Sequence, residues 1–387
     1  MPKIPPPAFL ADPALIPVLD ALPTARIVGG AVRDTIARRP VADIDLATPD
    51  PPETTISRLE AAGLKHVPTG LKHGTVTAIS AGRGFEVTTL RTDERTDGRH
   101  AEVAWTTDWH QDAARRDFTI NAMSMERDGT IHDDFGGIED LRAGRVRFVG
   151  DPATRLTEDY LRLLRFFRFH ARYGATPPDS ATATALRDAI PNIRRLSAER
   201  VWSELKLILA IPDPRATLHL MAEWHVLEAI LKHPIQLGAL DHLVVAGAPP
   251  APLLRLAALD PAAVTLAEPL KLSKAEASTL ADLLGPSPDP AWTEADLGRA
   301  LADTPAETWV ARTWLAGGDG PAWAALRTRL QTTPRPIFPL AGRDAVQLGI
   351  PPGPEVGRLL EAVRIWWQDE GCIPDAAACR AELARRV

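Results

Sequence analysis

The apolar pattern of the chain changes period near residue 150, and that change restricts it to a head built on a sheet followed by a body built of helices. Before it, short β-prone stretches, "ARIVGG", "ADIDLAT", "HGTVTAIS", "FEVTTLRT", "INAMSMER" and "GRVRFVG", alternate with glycine-containing turns. After it the helical period dominates. "TEDYLRLLRFFRFHARYG" closes on Gly174 as a C-terminal cap, and Pro177-Pro178 prevents continuation. "RLSAERVWSELKLILA" offers Ser197 as N-cap, a staple between Leu196 and Val201, and Glu199 in the first turn. Further helices are expected at 214–232, 251–259, 272–284, 292–302, 305–316, 320–330 and 353–369. At 387 residues the chain exceeds what one core organises, so at least two cores are expected.

No stretch of about 18 uncharged apolar residues occurs, and prolines interrupt "MPKIPPPAFLADPALIP" before a signal-peptide core could form. The expectation is a cytoplasmic protein without a membrane partner and with no obligatory protein partner. Cys372 and Cys379 have no histidine close by in sequence, which argues against a disulfide framework or a zinc site. The net charge is −6, yet residues 151–215 carry 11 basic and 8 acidic groups and form the one positive segment. A local basic stripe can bind phosphate in an acidic molecule because screening confines each charge to about 8–10 Å.

The chemistry-bearing stretch is "VADIDLATPD". On a strand, Asp43 and Asp45 would share one face while Ile44 enters the core behind them. Their repulsion calls for a cation, and paired carboxylate oxygens suit Mg²⁺, which takes its remaining ligands from water and substrate phosphates. Upstream, "IVGGAVRDTIARR" places Gly29-Gly30 between a strand end and a helix start, where backbone can approach a phosphate and Arg33 can add a guanidinium fork. A lone Gly-Gly turn is usually just a turn, and a lone Asp-x-Asp is usually a surface pair. Their conjunction within 17 residues is far more specific. In "GRGFEVTTLRT", Glu86 shares a face with Thr88; if that strand neighbours the aspartate strand, Glu86 completes a three-acid cluster able to hold metal or take a proton.

The stretches "IVGGAVRD…DIDLAT", "FEVTTLRTDERTDGRHAEV", "RRDFTINAM", "HDDFGGIEDLRAGRVRFVGDP", "TRLTEDYLRLLRFFRF" and "RLSAERVWSEL" resemble, in order and spacing, the motifs of the class II tRNA nucleotidyltransferase and poly(A) polymerase family, the CCA-adding enzymes. The resemblance is close from residue 26 to about 210, and the tail "PIFPLAGRDAVQLGIPPGPEVGRLLEAVRIWW" resembles bacterial members. It implies an α+β fold. A nucleotidyltransferase palm of the polymerase β type with a small twisted sheet would span residues 1–150, followed by an all-α neck (151–215), body (216–330) and RNA-binding tail (331–387). It further implies that Gly30 and Arg33 contact the triphosphate, that Asp43 and Asp45 bind Mg²⁺, and that Arg116 contacts the incoming nucleotide. Asp159, Arg162, Arg165 and Arg168 match nucleotide-reading and phosphate-contacting positions.

Three residues apart on a helix face, Asp159 and Arg162 are expected to pair with each other as a fixed acceptor-and-donor fork. Cytosine and adenine both present an amino donor beside a ring-nitrogen acceptor; guanine and uracil present a carbonyl beside a ring N–H. Such a fork accepts C and A and leaves groups unpaired against G or U. Arg200 and Glu204 read as a bracing i,i+4 pair. The implied reaction is template-independent, two-metal, in-line addition of C, C and A to the 3′ end of tRNA from CTP and ATP, releasing pyrophosphate. Poly(A) synthesis or partial addition of CC or A shares the head motifs, and the rival of another class is a non-catalytic RNA-binding protein on the same scaffold. Residues 91–117 are expected to form a loop, either one that moves between addition steps or a plain surface loop.

Overall fold

The computed structural model describes residues 1–96, 101–232, 235–260 and 262–387. Among them, seven strands form one mixed sheet: β1 (Arg26–Val28), β2 (Asp45–Thr48), β3 (Lys65–Gly70), β4 (Thr75–Ser80), β5 (Arg83–Thr89), β8 (Ser124–Met125) and β9 (Ile131–His132), in the order β3-β4-β5-β2-β1-β8-β9. Only β2 and β5 run parallel, with Leu46 level with Val87 and Ala47 with Thr88. Between them, α3 (Pro52–Ala61) and the β3–β4 hairpin make the crossover. The alternation of "TVTAIS" buries Val76, Ala78 and Ser80 on one face of β4. That face closes on Leu15, Val18, Leu22, Ile27, Val32, Leu46, Leu59, Phe85 and Val87, drawing in α1 (Ile16–Ala21) and α2 (Gly30–Ile36).

Three expected elements differ. β2 begins at Asp45, so Asp43 precedes the strand and the two aspartates do not alternate along it. "GRVRFVG" forms no strand beyond a single bridge from Phe118 to Phe148. Arg145 and Arg147 both turn to the fully buried Asp140, Nε to Oδ1 at 3.0 Å and Nε to Oδ2 at 2.9 Å. The segment after Leu90 is an antiparallel pair, β6 (Arg91–Thr96) with β7 (Ala101–Trp105), followed by α4 (Trp109–Ala114), not a loop throughout. Residues 97–100 of the expected loop lie outside the described residues.

Beyond α5 (Gly137–Arg142), the chain continues as α6 (Pro152–Glu158), α7 (Leu161–Tyr173), α8 (Ser180–Ala189) and α9 (Ala198–Leu209). α7 is sharply two-sided. Leu163, Leu164, Phe166 and Phe167 are buried, and the rings of Phe118, Phe148 and Phe166 pack together with centroids 4.8–6.3 Å apart, Phe148 stacked on Phe166 and Phe118 tilted against both. Gly174 ends the helix with φ −72°, so its role is close approach: a Cβ there would lie 2.6 Å from the His170 carbonyl oxygen.

The expected helix 214–232 is two, α10 (Arg215–Glu223) and α11 (Val226–Leu231), divided where His225 takes φ 62° beside the buried Trp224. Two compact units result, Met1–Ile208 with Ala216–His233, and Leu209–Arg215 with Pro234–Val387. The second contains α12 (Leu237–Val245), α13 (Pro252–Leu259), α14 (Lys274–Leu283), α15 (Glu294–Asp303), α16 (Ala306–Leu315), α17 (Pro321–Thr332), α18 (Gly342–Gln347), α19 (Pro354–Asp369) and α20 (Ala376–Arg386). Capping boxes at Ser273/Glu276 and Thr293/Asp296 start α14 and α15. Trp309 and Trp367 anchor separate apolar clusters within this unit, and Cys379 is buried in the second of them. Arg255, almost wholly buried, donates Nη1 to the Leu209 carbonyl at 2.6 Å and Nη2 to that of Pro212 at 2.7 Å.

Candidate active site

Strand β1 ends at Val28, and the turn that follows needs glycine: Gly29 has φ 62° and ψ −121°, which L side chains rarely adopt. α2 then starts at Gly30, and Arg33 on its first turn points back toward Asn121, donating Nη1 to Oδ1 at 2.6 Å. In the antiparallel register of β1 and β2, Val28 pairs with Asp45, so the carboxylate stands beside the glycine turn. The parallel register of β2 and β5 sets Glu86 on its other side. The sheet therefore assembles what the sequence holds 57 to 41 residues apart, from Gly29 and Asp45 to Glu86. Asp43 lies exposed just ahead of β2, and the side chains of Asp45 and Glu86 are also open to solvent, their carboxyls set against the buried floor of the sheet. Burial, then the charge of Glu86, then that of Asp43, push the Asp45 carboxyl above its ordinary value, with Arg116 opposing.

This acid cluster opens into a cavity of about 720 Å³. Gly29, Gly30, Arg33, Asp45, Glu86 and Arg116, from the head, and Asp159, Arg162 and Arg165, from the helices after it, all line it. Asp43 and Arg168 are not among its lining residues. Arg168 faces Glu204 at 3.2 Å and lies over the ring of Phe169 at 4.8 Å. Among the described residues, no three His, Cys, Asp or Glu side chains form a ready metal-holding group, so the expected three-acid cage is not closed. The donors present are all hard carboxylate oxygens whose mutual repulsion Arg116 only partly offsets, and that chemistry fits a divalent cation completed by phosphate and water.

The expected pairing of Asp159 with Arg162 is replaced by separate anchors. The chain leaves α6 at Asp159, whose backbone is extended (φ −155°, ψ 109°), and re-enters a helix at Leu161. Asp159 Oδ2 accepts from Arg200 at 2.6 Å and Oδ1 from the Leu161 amide at 3.0 Å. Arg162 gives Nη1 to Glu158 and to the Arg155 carbonyl, the latter at 2.7 Å. Because the helix breaks between them, the two cannot share one face as an unbroken turn would require. Each is oriented by a third residue instead. The bracing expected of Arg200 and Glu204 reaches across to the functional face, Arg200 to Asp159 and Glu204 to Arg168 and Arg165.

The supporting carboxylates Asp117 and Asp112 escaped the sequence reading, and so did Asn121. Asp117 accepts Arg165 Nε at 2.8 Å through Oδ2 and Asn121 Nδ2 at 3.0 Å through Oδ1. Burial opposes its charge, yet Arg165 and these hydrogen bonds keep its carboxyl below the usual range. Asp112 holds both Arg115 (Nη2 at 2.7 Å) and Arg116 (Nη2 at 3.1 Å). Burial raises the carboxyl of Glu204 in spite of Arg168 and Arg165. The signal was present in "RRDFTIN": arginines crowded into a cavity need buried carboxylates, and Asp117 with Asn121 supplies an i,i+4 pair within that motif.

Residues 25–147 match the family described as the Poly A polymerase head domain, and residues 178–236 match the probable RNA and SrmB-binding site of polymerase A. The human CCA tRNA nucleotidyltransferase 1, mitochondrial, is 37% identical over 364 residues, covering 89% of this chain and 83% of its own length. The chain belongs to the CCA-adding tRNA nucleotidyltransferases. The CCA-adding enzyme of Lacticaseibacillus paracasei is 32% identical over 370 residues, covering 90% of each chain. Of solved structures, the Bacillus stearothermophilus CCA-adding enzyme in complex with CTP superposes with a TM-score of 0.76 at 28% identity, covering 97% of this chain and 98% of that one. The palm-and-helix architecture of this family is that of the present fold, and its members are nucleotidyltransferases.

Proposed function

We propose that the chain adds C, C and A in turn to the 3′ end of tRNA, with CTP and ATP as donors and the 720 Å³ cavity as its active site. The observation that carries this reading is the meeting of Asp45 and Glu86, on adjacent strands, with the arginine face of α7 across one cavity. Gly29, Gly30 and Arg33 take the β- and γ-phosphates, with Arg116 on the nucleotide. Asp159 accepts from the exocyclic amine of C or A, and Arg162 donates to the adjacent ring nitrogen. Nη1 of Arg162 is anchored, and its Nε and Nη2 carry no hydrogen bond among the described residues. Arg165 and Arg168 add positive charge along the same helix, Arg168 from behind the cavity wall.

Mg²⁺ is the cation assigned to Asp43 and Asp45, where it supplies charge neutralisation to the reacting phosphates. In this reading Glu86 takes the proton from the RNA 3′-hydroxyl as that oxygen bonds to the α-phosphorus and pyrophosphate leaves. Residues 1–150 and 151–215 serve the nucleotide, as head and neck. Body (216–330) and tail (331–387) serve the folded RNA, whose duplex is read by shape. Among the described residues no helix is long and apolar enough to cross a membrane. A cytoplasmic location belongs to the same reading and is checked by fractionation, where recovery with organelles counts against it.

Purified protein incubated with tRNA lacking its last three nucleotides, Mg²⁺ and each labelled triphosphate decides the reaction. C followed by A, stopping at three, is expected. A long ladder of A, CC or A alone, or no incorporation, overturns the assignment.

A further inference from the structure

At the C-terminal end of α7, the buried Tyr173 donates its hydroxyl to Oδ1 of the buried Asp34 on α2. The same oxygen accepts Nε of Arg33 at 3.1 Å, and Oδ2 faces Arg172 at 3.5 Å. The guanidinium of Arg33 lies over the rings of Tyr173 and Phe169, at 4.7 and 5.2 Å from their centroids. Its Nη1 is held by Asn121, and Nη2 carries no hydrogen bond among the described residues. A second chain of contacts leads from the same arginine back to α7, through Asn121 and Asp117 to Arg165. One helix thus touches the supports of Arg33 near both of its ends.

Packing alone does not ask for this arrangement, since a phenylalanine at 173 would fill the same space beneath the guanidinium. The hydroxyl adds one directed bond, and it lands on the carboxylate that fixes the Nε edge of Arg33. An arginine held in this way has already lost its side-chain freedom in the fold, so gripping a phosphate costs it little more. We propose that Tyr173 and Asp34 are positioning residues for the triphosphate: they lock the fork of Arg33, so that the helix carrying Arg162 and Arg165 also sets where the phosphates are gripped. The proposal rests on the reading of the cavity as a nucleoside triphosphate site.

The test compares wild type, Tyr173→Phe, Arg33→Lys and the double variant by single-turnover C addition to truncated tRNA, and by calorimetric binding of pyrophosphate with Mg²⁺. Loss of a hydrogen bond in a charged network predicts that Tyr173→Phe lowers kcat/KM about 10-fold for CTP and ATP alike and weakens pyrophosphate about as much. Discrimination of C from U stays within about twofold of wild type, because Asp159 and Arg162 are untouched. On the Arg33→Lys background, which lacks the planar fork, removing the hydroxyl adds less than about twofold. A purely structural hydroxyl would lower the melting temperature and give losses that multiply in the double variant; that result, or wild-type pyrophosphate binding by Tyr173→Phe, overturns the proposal. Should wild type transfer no nucleotide while the pyrophosphate pattern holds, the transferase reading fails and the positioning of Arg33 stands.

Discussion

Asp45 on β2 and Glu86 on β5 occupy the same level of two parallel strands, one position ahead of the Leu46–Val87 pair. The register forces two like charges together beside the Gly29 turn, and among the described residues neither carboxylate has an ion pair, Arg116 acting on Asp45 only from a distance. A carboxyl raised in the folded state favours folding below its unfolded value of 3.8, and that contribution is lost as pH rises through the raised value. At neutral pH the ionised Asp45 therefore opposes folding, though weakly, because its side chain is exposed and solvent screens it.

Asp45→Asn is accordingly expected to melt higher than wild type at pH 7 without added cation, with the difference shrinking toward pH 4, while nucleotide incorporation falls by at least about 10²–10³-fold. Thermal melts across pH alongside a primer-extension assay check both halves. A variant that melts lower at pH 7 contradicts the account of the acid pair.

Mg²⁺ and CTP together are expected to stabilise wild type by about 2–4 °C at saturating concentrations. Either one alone should give less, and the joint effect should vanish in Asp45→Asn. Chelation should restore the starting melt. An equal shift in the variant would place the cation elsewhere.

Arg162→Ala should reduce the preference for C over U by about 10–100-fold, the worth of roughly 1–3 kcal/mol of lost pairing, with a smaller effect on total turnover. Arg200→Ala, which frees Asp159 Oδ2, should move selectivity in the same direction by less. Competition between labelled CTP and UTP measures both, and unchanged ratios would remove these residues from base reading.

Gly29→Ala places a Cβ on a backbone at φ 62° and 3.5 Å from Arg116 Nη1. The strain is expected to cost about 1–3 kcal/mol of stability. Turnover should fall as well, because Arg116 and the phosphate-facing turn both shift. Denaturant unfolding reads the first effect, and a stability equal to wild type would show that the turn relaxes freely.

Binding of tRNA should weaken at least tenfold when salt rises from about 50 to 200 mM if several phosphates are contacted. Filter binding at two salt concentrations is sufficient. A flat response would mean that the basic residues of 151–215 do not meet the RNA backbone.

Much of this site was legible because its parts are local in sequence. Gly29-Gly30, Arg33 and Asp45 announce themselves within a short stretch and line the cavity, and Glu86 followed from strand alternation, whereas Asp43, expected to share the strand face with Asp45, precedes the strand and does not line the cavity. What escaped was what depends on third partners. The break at Asp159 could not be seen because Tyr160 and its neighbours are acceptable helix residues, and only the pull of Arg200 from α9 and Glu158 from α6 shows why Asp159 and Arg162 part. Likewise the apparent strand over 145–149 reads as alternation, but both arginines are claimed by one buried carboxylate, Asp140. In the second unit, α18 is only six residues long and α20, though 11 residues long, buries only Cys379, Glu382 and Leu383, so their periodicity was too weak to separate from the joints around them.

The reverse side of α7 carries a further consequence. Phe166 and Phe167 sink into an aromatic cluster with Phe118, Phe148 and Trp224, so the rod is clamped against rolling or sliding. An enzyme engineered from this chain to write a different trinucleotide would have to exchange the side chains mounted on that rail, since tilting the rail itself would mean dismantling its bed.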